Sequence, residues 1–131
     1  MAENLKYTVF GLMVWGLVWV MMRVLGASVF SEGNPWMIVF YLACFPLGIA
    51  FVYIVKAIFK LEMHELVRPM TIFTFVALMM DGFSFGFTKF YGVGAHELYS
   101  AAFLLWAPGV FVLCAFWVIG RAPKTIKNMT K

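Results

Sequence analysis

Between Pro35 and Val55 the chain reads PWMIVFYLACFPLGIAFVYIV, without one charged residue. A hydrocarbon core ~30 Å thick takes about 20 helical residues, so a run of this kind is long enough to cross it. Four such spans are predicted, at residues 8–30, 35–59, 69–90 and 95–119. Backbone groups in lipid must be bonded within their own segment, which makes each span a helix. A barrel would need short alternating segments, and none are visible. Hydrophobic residues make up 64% of the chain and charged residues only 12%. A soluble domain of this length could not hide that much apolar surface. Residues 1–131 are therefore read as one all-α transmembrane domain of four helices, with no room for a separate globular domain.

The breaks between spans carry turn chemistry. SEGNP at 31–35 closes the first pair, with Pro35 suited to a first helical turn. KLEMHELVRP at 60–69 is a polar link ending in a helix-starting Pro69, and YGVGAHE at 91–97 brings glycines to the third turn. Links this short predict an up-down-up-down antiparallel bundle. The first span has the apolar heart of a signal peptide. Glu3 weakens the basic start and Arg23 interrupts the approach to a cleavage site, so it is expected to stay as a membrane helix.

Of the ten Lys and Arg residues, only Arg23 and Lys89 fall towards one side. Lys6, Lys56, Lys60, Arg68, Arg121, Lys124, Lys127 and Lys131 fall on the other. The positive-inside rule then places both termini and the 60–69 link in the cytoplasm. The basic tail, residues 120–131, should lie near anionic headgroups. The formal net charge of +4 serves topology and does not make a nucleic-acid footprint.

Several chemistries find no support. His64-Glu65-Leu66 and His96-Glu97-Leu98 repeat a tempting pair, but they open spans three and four on opposite sides, about a membrane thickness (~30 Å) apart. The H-E-x-x-H pattern is absent, so no metal, haem or other cofactor is expected. Counting from the outer ends of their spans, Cys44 and Cys114 differ in depth by about 15 Å, too far for a disulfide. No catalytic residue is assigned. Pro46 and Pro108 lie near the middle of spans two and four, where each removes a backbone bond and kinks its helix. The carbonyls one turn earlier, at Leu42 and Leu104, lose their donor; matched kinks could shape a cavity, but prolines are frequent in ordinary membrane helices, and that reading is favoured. Trp36 and Trp117 fall at the interfaces, whereas Trp15, Trp19 and Trp106 lie deeper and are expected to pack in the core.

The most informative residue is Asp81. On span three, Thr74, Ala77, Asp81, Ser84 and Thr88 recur at helical spacing and form one small, polar face. Phe73, Leu78 and Phe87 are placed on the opposite side. Such a face is expected to point into protein, with Gly82 and Gly86 flanking it as a G-x-x-x-G for close helix packing. If span three enters at Pro69 and span one at Thr8, Asp81 lies about 18 Å deep and Arg23 about 22 Å. Their opposite signs favour an intramembrane ion pair of Arg23 with Asp81, the alternative being that Arg23 snorkels to the outer surface towards Glu32. Gly16, Gly26 and Ala27 share the Arg23 face and would admit a neighbouring helix.

LMMDGFSFGFTKFYG followed by AAFLLWAPGV, with an arginine late in span one and a proline within span two, resembles a family of small four-helix bacterial membrane proteins of unknown function. The resemblance covers most of the chain. It implies the four-helix fold and a multi-pass place in the bacterial cytoplasmic (inner) membrane, and it carries no catalytic residues across. The glutamate that small multidrug transporters use in their first helix is missing here. So are the glycine-rich first helix of fluoride channels and the Arg- and Asn-containing motif of membrane glutathione-metabolising enzymes.

Two functions compete. One is a non-enzymatic bundle working through helix contacts in the lipid bilayer, as a homo-oligomer or as an accessory subunit of a larger membrane complex. The alternative is a small transporter or channel in which Asp81 takes up a proton or cation.

Overall fold

A computed structural model describes residues 2–87 and 95–121 of the protein. Thr88, Lys89, the end of span three, the 91–94 turn and the tail beyond Arg121 lie outside these residues. So do the side chains of His96 and Glu97 and the surroundings of Gly86. The described residues form four long helices: α1 (Ala2–Val29), α2 (Pro35–Phe59), α3 (Val67–Phe87) and α4 (Ala95–Arg121). Each is long and apolar enough to cross a membrane.

The helix limits follow from local chemistry. α2 has the predicted bounds. The Asn34 side chain accepts from the Trp36 backbone N–H at 3.0 Å, and Pro35 follows as first residue. Gly33 ahead of it has φ 76°, a conformation that favours glycine. At the other end Lys60 turns left-handed and sends its N–H back to the Lys56 carbonyl. α1 starts six residues before the predicted Thr8, because Ala, Glu, Leu and Lys continue a helix well beyond the apolar boundary. The Thr8 hydroxyl donates to the Asn4 carbonyl one turn back, at 2.9 Å. The 60–69 link holds a short 3-10 turn, Met63–Glu65. Glu65 caps it by accepting from the Glu62 N–H at 2.8 Å, so its carboxylate serves this turn rather than α3. α3 then begins two residues before Pro69, which sits within its first turn.

α3 and α4 adjoin both in the chain and in space, whereas α1 and α2 pack mainly against other partners. The extensive backbone contacts join α2 to α4, α1 to α3, and α3 to α4. α1 and α2 meet instead through large rings: Phe10 stacks with Phe51 at 6.3 Å and stands edge-on to Phe59 at 5.3 Å. α1 approaches α3 closely at Gly11, where a Cβ would lie 3.5 Å from the Phe73 Cα. The apolar interior falls into two clusters. Tyr7, Val52, Val55, Leu66, Met70 and Phe73 centre one of them. Met22, Phe30, Cys44, Phe103 and Cys114 centre the other. The outward surface is apolar as well, with Leu17 and Val24 each 72% exposed, as lipid-facing helices require.

One depth estimate and one face assignment are corrected by these contacts. Cys114 Sγ lies 3.6 Å from the Phe45 carbonyl, next to Cys44, and both thiols share one buried cluster. The estimate had set the starts of spans two and four level. In the structure Cys114 faces Gly48, one turn from Cys44. Phe73 also leaves its predicted outward position. It is 6% exposed and packs against Tyr7 and Phe59, because α3 is covered on two sides and buries a wide arc. Leu78 does face outward.

At the end where α1 and α3 begin, Arg68 reaches Glu3 at 3.5 Å. Both side chains are exposed, so this pair marks register more than it stabilises. At the end of α4 the Arg121 guanidinium lies 3.8 Å over the Trp117 ring, a cation–π contact suited to a membrane interface.

Candidate functional site

Asp81 is 3% exposed and Ser84 2% exposed, on the α3 face turned towards α1 and α4. Helical spacing puts both on the arc that also holds Thr74 and Ala77. The Asp81 carboxylate accepts a hydrogen bond from the Trp15 indole N–H at 2.8 Å. A hydrogen bond between two groups this far from bulk solvent is strong, and this one joins α1 to α3 at that level.

Sequence reasoning paired Asp81 with Arg23 and did not name Trp15 as a donor. The register explains why. Glu3 meets Arg68, Tyr7 meets Phe73 and Trp15 meets Asp81, so the two helices are matched from their true starts at Ala2 and Val67. Counting from Thr8 displaced α1 by more than a turn. Arg23 stands eight residues beyond Trp15, about 12 Å along the axis, and is exposed. Helix propensity in the first six residues was the signal that would have set the level correctly.

Beside Asp81 lies a cavity of about 100 Å³. Its walls come from Gly11, Val14, Trp15 and Val18 of α1, Phe51 of α2, Met70, Phe73, Thr74, Ala77 and Asp81 of α3, and Leu104, Ala107, Pro108 and Phe111 of α4. Asp81, Thr74 and Trp15 are the lining residues with polar side chains, and the surface turned to the space is almost wholly apolar. A proline has no N–H, so Pro108 leaves the Leu104 carbonyl without its usual helical donor, and both residues line the space. Its volume has room for a small solute.

The remaining predicted residues divide around this centre. Pro46 is exposed on the outer side of α2 and takes no part in the cavity, whereas Pro108 does. Trp19 packs with the second apolar cluster, whereas Trp106 is exposed on the outer surface of α4 beside Tyr41 and Phe45 and not in the core as expected. Gly82 is exposed, and a Cβ built there meets nothing within 4 Å among the described residues. Gly26 packs near Ser100 of α4, while Gly16 has open space. Among the described residues no group of three or more His, Cys, Asp or Glu side chains is placed to hold a metal ion.

No protein-family model, no curated protein and no solved structure matches this chain, so the cavity and its carboxylate stand on their own geometry.

Proposed function

We propose that the protein is a small non-enzymatic transporter or channel of a bacterial cytoplasmic (inner) membrane, with Asp81 handling a proton or small cation. The observation that carries this reading is the cavity beside a buried carboxylate inside a membrane-spanning bundle. A carboxylate that only glues helices together needs no space next to it, because interiors otherwise close to organic-crystal density. Arg23 is the proposed counter-charge. Helical side chains lean towards the helix N-terminus, and an arginine stem is long enough to carry its guanidinium back along α1 towards Asp81. The bacterial setting rests on the family resemblance. The test is ion flux into proteoliposomes under an imposed gradient or potential. Asp81→Asn should abolish flux, and equal flux through both proteins would end this reading.

The proposed topology is up-down-up-down with both termini cytoplasmic. Rising α1 positions meet rising α3 positions, while the start of α3 meets the end of α4 at Val67 and Ile119. The basic bias supplies the orientation. Reporter fusions after Lys131 and within residues 60–66 should report cytoplasm, and a fusion after Gly94 the far side. A far-side C-terminus would overturn it.

A second reading keeps the protein as a homo-oligomer or accessory subunit acting through helix contacts. Gly82 favours it, since open space at an exposed glycine among Phe75, Leu78, Met79 and Phe83 permits close approach of another helix. Gly82→Leu should then leave the melting temperature of the single chain unchanged and reduce the crosslinked oligomer in mild detergent. An unaltered oligomer removes Gly82 from the interface.

A further inference from the structure

We propose that the cavity between the four helices takes the end of a lipid acyl chain from the surrounding bilayer. The inference goes beyond the transport reading, since it uses the apolar wall of the space and no charge on Asp81.

Surface chemistry selects an apolar occupant. The surface turned to the space is almost wholly apolar, with Val14, Val18, Phe51, Leu104 and Phe111 on its wall. A water held inside a protein needs about two to four polar partners, which such a surface does not offer. An acyl chain gives up no hydrogen bonds on entering, and it restores the dispersion contacts that a void denies its lining.

Depth selects where the occupant comes from. Trp15, Ala77 and Pro108 stand at the middle of α1, α3 and α4, and all three line the space. In a hydrocarbon core ~30 Å thick, mid-span lies about 15 Å from either headgroup layer. The matter outside the protein at that level is the ends of acyl chains. A helix of another chain, about 10 Å across with its side chains, is too wide for the space.

Access is lateral. The space is only half enclosed, and Val14, Val18 and Phe51 on its wall are half-buried. α1 and α2 make no extensive backbone contact. Ring contacts close their seam at two ends, with Phe10 against Phe51 and Phe59, and Phe30 against Phe40. Val14 and Val18 stand between those ends, which puts the mouth in this seam. Size sets how much of the chain enters. An apolar cavity of about 150 Å³ takes a benzene ring, so about 100 Å³ holds a chain end of roughly four carbons.

Trp15 is on the wall and reports the occupant directly. Trp19→Phe, Trp36→Phe, Trp106→Phe and Trp117→Phe together leave it as the sole tryptophan. The full chain is reconstituted into phosphatidylcholine vesicles whose acyl chains carry bromine, a short-range quencher, either near the headgroup or near the terminal methyl. Terminal bromine should quench Trp15 fluorescence at least twofold more than bromine near the headgroup. Ala77→Leu fills the space from α3 and should cut that quenching at least by half. Ala107→Leu fills it from α4 and remains decisive if Ala77→Leu does not fold. Quenching unchanged in the filled variant means that bromine acts from the outer surface, and it overturns the proposal. Stronger quenching by acrylamide added to the water than by terminal bromine means a wet cavity, and it overturns the proposal as well.

Discussion

Trp15→Phe is expected to destabilise the bundle by about 2 kcal/mol, because it deletes the donor to a buried carboxylate and keeps most of the ring volume. Asp81→Asn should cost a similar amount, since it leaves two amide N–H donors to be satisfied in a buried site while its oxygen accepts the indole bond. Reversible unfolding in detergent or mixed micelles measures both. The informative quantity is their coupling. Trp15 and Asp81 touch at 2.8 Å, so the double variant should cost about 1–2 kcal/mol less than the sum of the singles. Strict additivity would remove this bond from the stability of the α1–α3 contact. The same cycle with Arg23→Gln tests the proposed counter-charge. A coupling above about 0.5 kcal/mol between Arg23 and Asp81 supports it, and additivity leaves Arg23 as an anchor at the membrane surface.

The second large effect belongs to Gly48, where α2 meets α4. A Cβ there would stand 3.0 Å from the Cys114 Sγ, 3.1 Å from Phe111 Cδ1 and 3.4 Å from Cys114 Cβ. Cys114 is itself 5% exposed, with its Sγ against the Phe45 carbonyl, so it has little room to withdraw. Gly48→Ala should therefore cost about 1–3 kcal/mol through overpacking, and Gly48→Leu should prevent the native α2–α4 contact. Cys114→Ala removes the nearest obstructing atom. Combined with Gly48→Ala it should recover much of the loss, read as a melting temperature above that of Gly48→Ala alone. No recovery would mean that Phe111, or strain elsewhere, sets the penalty.

The two sites show what could be read early and what could not. The bounds of α2 were legible because Asn34, Pro35 and Lys60 act on backbone groups within a turn of themselves. The inward face of α3 was legible because residues three and four apart share a side of any helix. The four apolar stretches were legible because hydropathy sums along a chain and needs no partner. The start of α1 was misplaced because hydropathy marks where lipid begins, and a helix does not have to stop there.

By itself, then, the sequence determined four membrane-length helices and a buried carboxylate on the third. Tertiary structure alone decided that Trp15 meets Asp81, that Cys114 comes beside Phe45, and that a cavity opens between α1, α3 and α4. The physical reason is register. The level at which two helices meet depends on side chains far apart in sequence finding room together, as Phe73 does against Gly11 and Cys114 against Gly48. A cavity is what remains after every such fit is made, so no stretch of the chain encodes it locally.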